Sequence, residues 1–295
     1  MKNIIEDPKH KYLRLEPIPS NEEVAEFYAK EFYDANASYF NNSSLEVQQE
    51  QSDFFNTRWN DVYSNCSKKF NGEIKDKTVF DIGFGFAQAL LFFKEKGLEV
   101  SGLEPSIDGY NYALSKGINA FHTGIENFDC VGENKFDIVL LMNVLEHLRE
   151  PATTLLNIKN QLLNNNGILV IDVPNDFNTF QEVANLEYDL DQWWVVAPNH
   201  INYFSPDSLK SLLNDCGYDV FEYESAFPLD IFLLFGDQYV GNPEIGRECH
   251  NKRVNFERLM RKYNKEKELK ALYKSFADLN LGRSITIYAS PKAKK

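Results

Sequence analysis

No apolar run in this chain approaches the length of a membrane span. The longest, around Ile138 to Leu141, is a handful of residues, where a transmembrane helix needs about 20. Met1 to Asp7 lack the apolar stretch of a secretory signal, so a cytoplasmic protein with no membrane partner is expected. Cysteine is sparse. Cys66, Cys130, Cys216 and Cys249 are widely spaced with no CxxC pair, which argues against a disulfide framework and a zinc knuckle, and no bound metal is expected. Positive charge is also short: 31 Lys and Arg face 44 Asp and Glu, a formal net charge of -13. Binding to a phosphodiester backbone rests on a positive surface, so no nucleic-acid partner is expected, and the basic stretch Arg247 to Lys270 reads as a solvated helix face. What is present is ordinary globular usage, 43% hydrophobic and 25% charged, over 295 residues. That length suffices for one elaborated domain with a full core.

The chain contains no internal repeat, and its texture changes three times. Residues 1–75 read as an N-terminal helical cap. Phe27, Tyr28, Phe32, Tyr33, Tyr39 and Phe40 cluster there, followed by Phe54, Phe55, Trp59 and Tyr63. Ser20 with Glu23 three residues on supplies a capping box. From residue 76 to 225, short β-rich runs alternate with helical stretches. Thr78 to Ile82, Glu99 to Leu103, Asn119 to His122, Phe136 to Met142 and Gly167 to Val173 read as strands. Phe86 to Lys96, Asp108 to Ser115 and Pro151 to Leu163 read as helices between them. Such alternation implies right-handed crossovers and a parallel sheet with helices on both faces, its ligand edge at the carboxyl ends of the strands. Ser205 to Cys216 adds a helix, then Tyr218 to Tyr223 and Ser284 to Ala289 add strands. The roughly 60 residues between those strands exceed a structureless loop. Residues 226–283 are therefore expected to form a helical insertion or lid, contributing to an acceptor side or a homodimer contact, with Phe232, Leu233 and Phe235 buried. Residues 284–295 carry the final core strand and tail.

Candidate chemistry begins at Val79-Phe80-Asp81-Ile82-Gly83-Phe84-Gly85-Phe86, where a strand enters a glycine turn and then a helix. Backbone can approach a ligand there with no side chain intervening. Glu104 ends the next strand, placed for a carboxylate to accept hydrogen bonds from the vicinal hydroxyls of a ribose. Together these two signals favour a nucleoside ligand. A dinucleotide fingerprint wants a third small residue where this chain has Gln88, and the chain offers no convincing Tyr-x-x-x-Lys pair of the kind an NAD-dependent oxidoreductase or epimerase carries.

Four ordered motifs then carry a resemblance: Asp81-Ile82-Gly83-Phe84-Gly85, Gly102-Leu103-Glu104-Pro105-Ser106, Phe136-Asp137-Ile138-Val139 and Asn143-Val144-Leu145-Glu146-His147-Leu148. Over Lys77 to Tyr223 the chain resembles the class I S-adenosylmethionine-dependent methyltransferases of small-molecule type, with DxGxG and LEHL motifs. The resemblance implies a Rossmann-like, seven-stranded, mostly parallel sheet and S-adenosylmethionine as cofactor. It implies that Asp81, Gly83, Gly85 and Asn143 line the methionyl part, that Glu104 holds the ribose hydroxyls, that Pro105 and Ser106 border the adenine, and that Ile125 and Glu126 meet the adenine edge. His147 in the LEHL element is read as packing and hydrogen-bonding near the pocket floor.

The acceptor side is expected in the loop after the fifth parallel strand. His200, within Pro198-Asn199-His200-Ile201-Asn202-Tyr203-Phe204, is the candidate general base, with Asn199, Asn202 and Tyr203 as polar substrate contacts. Trp193 and Trp194 suit the apolar face of a sugar, or else anchor a lid. A small-molecule methyl acceptor, in particular a nucleotide-linked sugar or cell-surface polysaccharide precursor, is the expected partner. A noncatalytic cofactor-binding protein descended from such an enzyme is the alternative, and an NAD-dependent oxidoreductase the more distant one.

Overall fold

The computed structural model describes residues 3–20, 22–24, 45, 51–125 and 128–293. Seven strands form the central sheet: β3 (Thr78–Ile82), β4 (Glu99–Leu103), β5 (Asn119–Phe121), β6 (Phe136–Met142), β7 (Leu163–Pro174), β9 (Tyr218–Ser225) and β10 (Ser284–Pro291). Their spatial order is β5-β4-β3-β6-β7-β10-β9. β3 pairs in parallel with β4 and with β6, and β6 with β7. Only β10 runs against its neighbours, antiparallel to both β7 and β9.

Strict alternation along these strands builds a core on each face, because successive side chains point to opposite sides. Phe80, Val139, Leu141, Leu169, Ile171 and Ile287 join one cluster, while Val79, Ile138, Leu140, Ile168, Val170 and Tyr288 join the other. The first is covered by α4 (Pro151–Asn157) and α6 (Pro206–Asp215), the latter through Leu209, Leu212 and Leu213. The second is covered by α1 (Ser52–Lys69), α2 (Gln88–Glu95) and α3 (Ile107–Ser115), through Trp59, Val62, Leu90, Phe93 and Ala113. The doubly wound sheet expected from the sequence is therefore present.

Some boundaries differ from expectation. The helix after Pro151 gives way to a π-helical turn at Ile158–Leu162, and β7 starts at Leu163 rather than Gly167. Asp137 explains part of this: its carboxylate accepts from Thr78 N at 3.1 Å and from Asn164 Nδ2 at 3.3 Å, drawing the asparagine run into the sheet beside a register shift. The expected capping box is formed, with Ser20 N donating to Glu23 Oε2 at 2.7 Å and Glu23 N donating to Ser20 Oγ at 3.1 Å. The aromatic cluster from Phe27 to Phe40 lies outside the described residues.

Residues 3–16 are not helical. β1 (Asn3–Glu6) and β2 (Leu13–Glu16) form an antiparallel hairpin, with the side chain of Asp7 accepting from His10 N at 2.8 Å in the turn. β2 also pairs with β8 (Asn202–Tyr203) in the loop that follows β7. Buried Leu15 on the inner face of β2 ties this hairpin to the core.

The segment between β9 and β10 is mainly helical, as its length required, with α7 (Ile231–Leu234), α8 (Pro243–Lys262) and α9 (Glu266–Asp278). Asn264, at φ 58°, lies in the turn that separates α8 from α9. Phe232 and Leu233 are buried, but Phe235 is 72% exposed. It caps the end of the short α7, its ring meeting Phe232 edge-on with 6.4 Å between centroids. Among the described residues no helix is long and apolar enough to cross a membrane.

Candidate functional site

The parallel register aligns the ends of the strands. Ile82 lies beside Leu103 on one side and Leu141 on the other, so Gly83, Glu104 and Asn143 emerge at one edge. Gly83 (φ 73°) donates to Leu103 O at 2.8 Å, and Gly85 (φ 53°) follows in the left-handed region that L side chains rarely adopt. A Cβ on Gly85 would meet nothing within 4 Å, so open space borders its backbone.

Glu104 is held from both sides. Gly85 N donates to its Oε2 at 2.7 Å and Ser106 N to its Oε1 at 2.8 Å, leaving one lone pair on each oxygen for a ligand. Only 6% of the residue is exposed. Burial raises its pKa against the opposing pull of those two backbone N–H groups. Asp81 lies below the turn, buried, with Oδ1 lacking a hydrogen-bond partner among the described residues. Burial first, and then the charge of Glu104, pushes its carboxyl up to about 8, so it holds a proton at neutral pH.

Other residues singled out from the sequence surround this centre. Ser106 caps α3, and Pro105 is exposed, its carbonyl in contact with His122 Nε2 at 3.0 Å. Asn143 is exposed at φ 55°, its N–H bonded to Asp172 O at 2.8 Å. Ile125 packs half-buried on the core, and Glu126 lies outside the described residues.

A second group is assembled where the 3-10 turn Leu145–His147 meets β8. Asn202 Nδ2 donates to Leu145 O at 3.3 Å and to Leu148 O at 2.6 Å, and Ile201 N donates to Glu146 O at 2.8 Å. These bonds bring His147 and His200 together, ring centroids 5.0 Å apart. His147 Nδ1 meets Asn199 O at 2.9 Å, which makes Nδ1 the protonated nitrogen and turns the Nε2 lone pair toward Glu146 Oε1 at 3.7 Å. Burial lowers the pKa of His147 and raises that of Glu146 well above the carboxylate range. For His200, burial, the neighbouring His147 and Arg283 together bring the pKa down to about 3. Its Nδ1 has no partner among the described residues, and Tyr203 Oη donates to its carbonyl at 3.1 Å. The side-chain donor atoms of Glu146, His147 and His200 lie within 4.8 Å of one another.

Trp194 is buried against Phe177 at 5.5 Å, whereas Trp193 is half-buried and meets Trp194 edge-on at 4.6 Å. Asn199, Asn202 and Tyr203 are buried. Beyond Asp172 the edge opens into a cavity of about 250 Å³, enclosed by α1, α8, α9 and the ends of β7, β9 and β10.

Three parts of this edge were given no role of their own from the sequence. Gly109 is buried in α3, where a Cβ would stand 2.4 Å from Gly85 O and 3.0 Å from Glu104 Cγ. Gly102 in β4 similarly faces Asp81 O at 2.4 Å. A glycine inside a helix or strand pattern signals close approach of another backbone, and that signal was available. Ile107, 51% exposed beside Glu104, offers an apolar surface that periodicity cannot distinguish from any exposed helix residue.

The matches to known proteins bear on the family and the fold. Residues 54–223 match the family described as Methyltransferase domain. An uncharacterized methyltransferase of Staphylococcus carnosus is 22% identical over 172 residues, covering 56% of this chain and 82% of that protein. A tRNA U34 carboxymethyltransferase of Campylobacter jejuni subsp. doylei is 29% identical, over 57% of this chain and 59% of its own length. Among solved structures, the plantazolicin methyltransferase BamL superposes with a TM-score of 0.55 at 14% identity, covering 92% of this chain and 97% of that one. A 1,6-didemethyltoxoflavin-N1-methyltransferase of Burkholderia thailandensis gives 0.52 at 14% identity, covering 99% of each chain. At these identities the superpositions establish a shared fold.

Proposed function

The chain belongs to the methyltransferase-domain family matched over residues 54–223, and from that premise we propose that it methylates a small polar acceptor, a nucleotide-linked sugar, using S-adenosylmethionine. The observation that carries the cofactor assignment is the Glu104 carboxylate, fixed by Gly85 N and Ser106 N with acceptor capacity left over at the strand edge. Two further features fit the same group. Gly85 leaves free space beside its backbone, and buried Asp81 keeps an unpartnered oxygen that a cationic methionyl moiety would satisfy.

In this reading Glu104 takes the ribose hydroxyls, with Pro105, Ser106 and Ile107 bordering the adenine and Ile125 and Glu126 at its edge. Asp81, Gly83, Gly85 and Asn143 line the methionyl part. When bound there, S-adenosylmethionine supplies a methyl group already activated by its sulfonium. The chain's own task is then to position the acceptor and receive its proton. His200 is the group assigned to the proton. Lowered to about 3, its ring is neutral throughout the working pH range and keeps a lone pair available. Asn199, Asn202, Tyr203, Trp193 and Trp194 shape the loop that presents His200 to the acceptor. A net charge of -13 supports a small molecule over a phosphodiester chain.

Calorimetry with S-adenosylmethionine, S-adenosylhomocysteine and NAD tests the cofactor, and transfer of labelled methyl to a panel of nucleotide-linked sugars tests the reaction. Binding of NAD in preference to the other two would overturn the assignment. Tight cofactor binding with no transfer to any small molecule would favour the noncatalytic alternative.

Two predictions arise from the cofactor residues. Glu104→Gln should weaken S-adenosylhomocysteine binding about fivefold to tenfold, ~1 kcal/mol, because the new NH2 group must face one of two backbone N–H donors. Unchanged affinity in a folded variant would remove Glu104 from the site. The second concerns Asp81, whose folded-state pKa of about 8 stands above its ordinary 3.8. Between those values the native protein holds a proton that the unfolded chain has released, so this group's contribution to stability falls as pH rises from about 4 to 8. A cation bound beside Asp81 favours its ionised form. Cofactor binding near pH 7 should therefore release up to about one proton, and affinity should rise with pH toward 8. Titration in buffers of different ionisation enthalpy measures this release, which Asp81→Asn should abolish.

A further inference from the structure

The cavity is linked to the strand edge through Asp172, whose carbonyl accepts the N–H of Asn143 and which also lines the cavity wall. Arg58, Arg253, Arg261 and Arg283 all reach this space. Three of them have carboxylate partners. Arg58 Nη2 lies 2.6 Å from Asp172 Oδ1, Arg261 pairs with Asp61, and Arg283 Nη1 lies 3.1 Å from Asp176 Oδ1.

Arg253 is different. Among the described residues no carboxylate oxygen comes within 4.0 Å of it, and its buried Nε has no hydrogen-bond partner. The contact it does make is with a neutral ring: Nη2 donates to His250 Nδ1 at 3.0 Å. The guanidinium also lies over the Phe54 ring, 4.7 Å from its centroid, which fixes the plane of its donors. The acids nearby are occupied. Glu257 accepts from Tyr273 Oη at 2.8 Å, Glu224 accepts from Tyr288 Oη at 3.0 Å, and Asp172 accepts from Thr286 Oγ1 at 2.5 Å. Burial lowers the pKa of Arg253, the negative charge of Glu257 opposes that shift, and the guanidiniums of Arg58 and Arg283 add to it.

A guanidinium with a free donor, in a cavity whose acids each already accept from another donor, can offer that donor to an anion. We propose that Arg253 seats an anionic group of the methyl acceptor, a phosphate or a carboxylate, inside this cavity. The inference rests on the methyltransferase reading above and assigns a seat to the negative charge that its acceptor carries. Arg58, which can exchange Asp172 for a ligand oxygen, is the second donor. The volume, about 250 Å³ where drug-sized sites run roughly 300–1,000 Å³, suits one charged group with part of a sugar rather than a polymer.

The test uses the full chain saturated with S-adenosylhomocysteine, titrated calorimetrically with inorganic pyrophosphate and separately with acetate. Arg253→Gln is compared with Arg247→Gln, a control at an exposed position of the same helix. At least one anion should bind, with affinity reduced tenfold or more in Arg253→Gln and unchanged in Arg247→Gln. Pyrophosphate as the responsive probe assigns a phosphate, and acetate a carboxylate. Should Arg253→Gln fail to fold, phenylglyoxal labelling of the unaltered protein, read by mass spectrometry, should show Arg253 protected by the same anion. Equal affinity in both variants, absence of binding, or unprotected Arg253 would overturn the proposal. If S-adenosylhomocysteine itself does not bind, the parent reading fails instead, so the two failures are told apart.

Discussion

Gly109→Ala should cost about 1–3 kcal/mol of folding stability, the usual penalty for overpacking, and weaken S-adenosylhomocysteine binding more than tenfold. The reason is the contact between α3 and the glycine turn. An added Cβ would stand 2.4 Å from Gly85 O and 3.0 Å from Glu104 Cγ, and the first of these is backbone, which no rotamer change can move aside. Relief requires α3 to back away from the turn. That motion carries Ser106 with it, because Ser106 caps α3 and its N–H holds Glu104 Oε1 at 2.8 Å. The substitution therefore disturbs the ribose clamp without touching a ligand. Denaturant unfolding and calorimetry on one variant measure both effects. Wild-type affinity together with wild-type stability would show that the turn and helix are not in register as described.

The second large effect is expected at His200. His200→Ala should lower methyl transfer about 100-fold or more while leaving cofactor affinity nearly intact, since general-base contributions are of that order. The pH dependence separates a base from a packing residue. With its pKa at about 3, His200 stays neutral as pH falls past 6.5, so kcat/KM for the acceptor, measured with the cofactor saturating, should show no acid limb where an ordinary histidine would titrate. Such a depressed pKa also makes a weak base. The ring then acts through alignment, accepting the acceptor's proton as the transfer proceeds rather than removing it beforehand. A loss of less than about threefold in His200→Ala would reassign the residue to packing against His147, and proximity alone would carry the reaction.

Much of the sheet was legible because its strands are buried on both faces. Phe136 to Met142 is apolar at nearly every position, so the strand announces itself, and its sides separate cleanly into the two clusters. Glu104 was legible because a lone acid at a strand end, following a glycine turn, has few other reasons to be there. The hairpin of β1 and β2 was not. Each strand is four residues long, and β2 is completed by β8, far away in sequence, a pairing that no local pattern can reveal. The start of β7 was obscured by Asn164, Asn165 and Asn166, which favour turns until Asp137 fixes one of them. Arg253 was hidden for another reason. On α8 it belongs to a basic stretch that reads as a solvated face, and only packing against Phe54 of α1 turns it inward.

The reversed strand β10 gives the molecule a division of labour. Strands β3, β4 and β5, with the turns that follow them, carry the residues assigned to the nucleoside, whereas β7, β9 and β10 frame the cavity with α8 and α9. Because β10 returns the chain antiparallel between β7 and β9, the whole insertion leaves from and rejoins the sheet at the cavity's own rim. In the proposed reading, substitutions confined to these helices alter which acceptor is admitted while the glycine turn and Glu104 remain as they are.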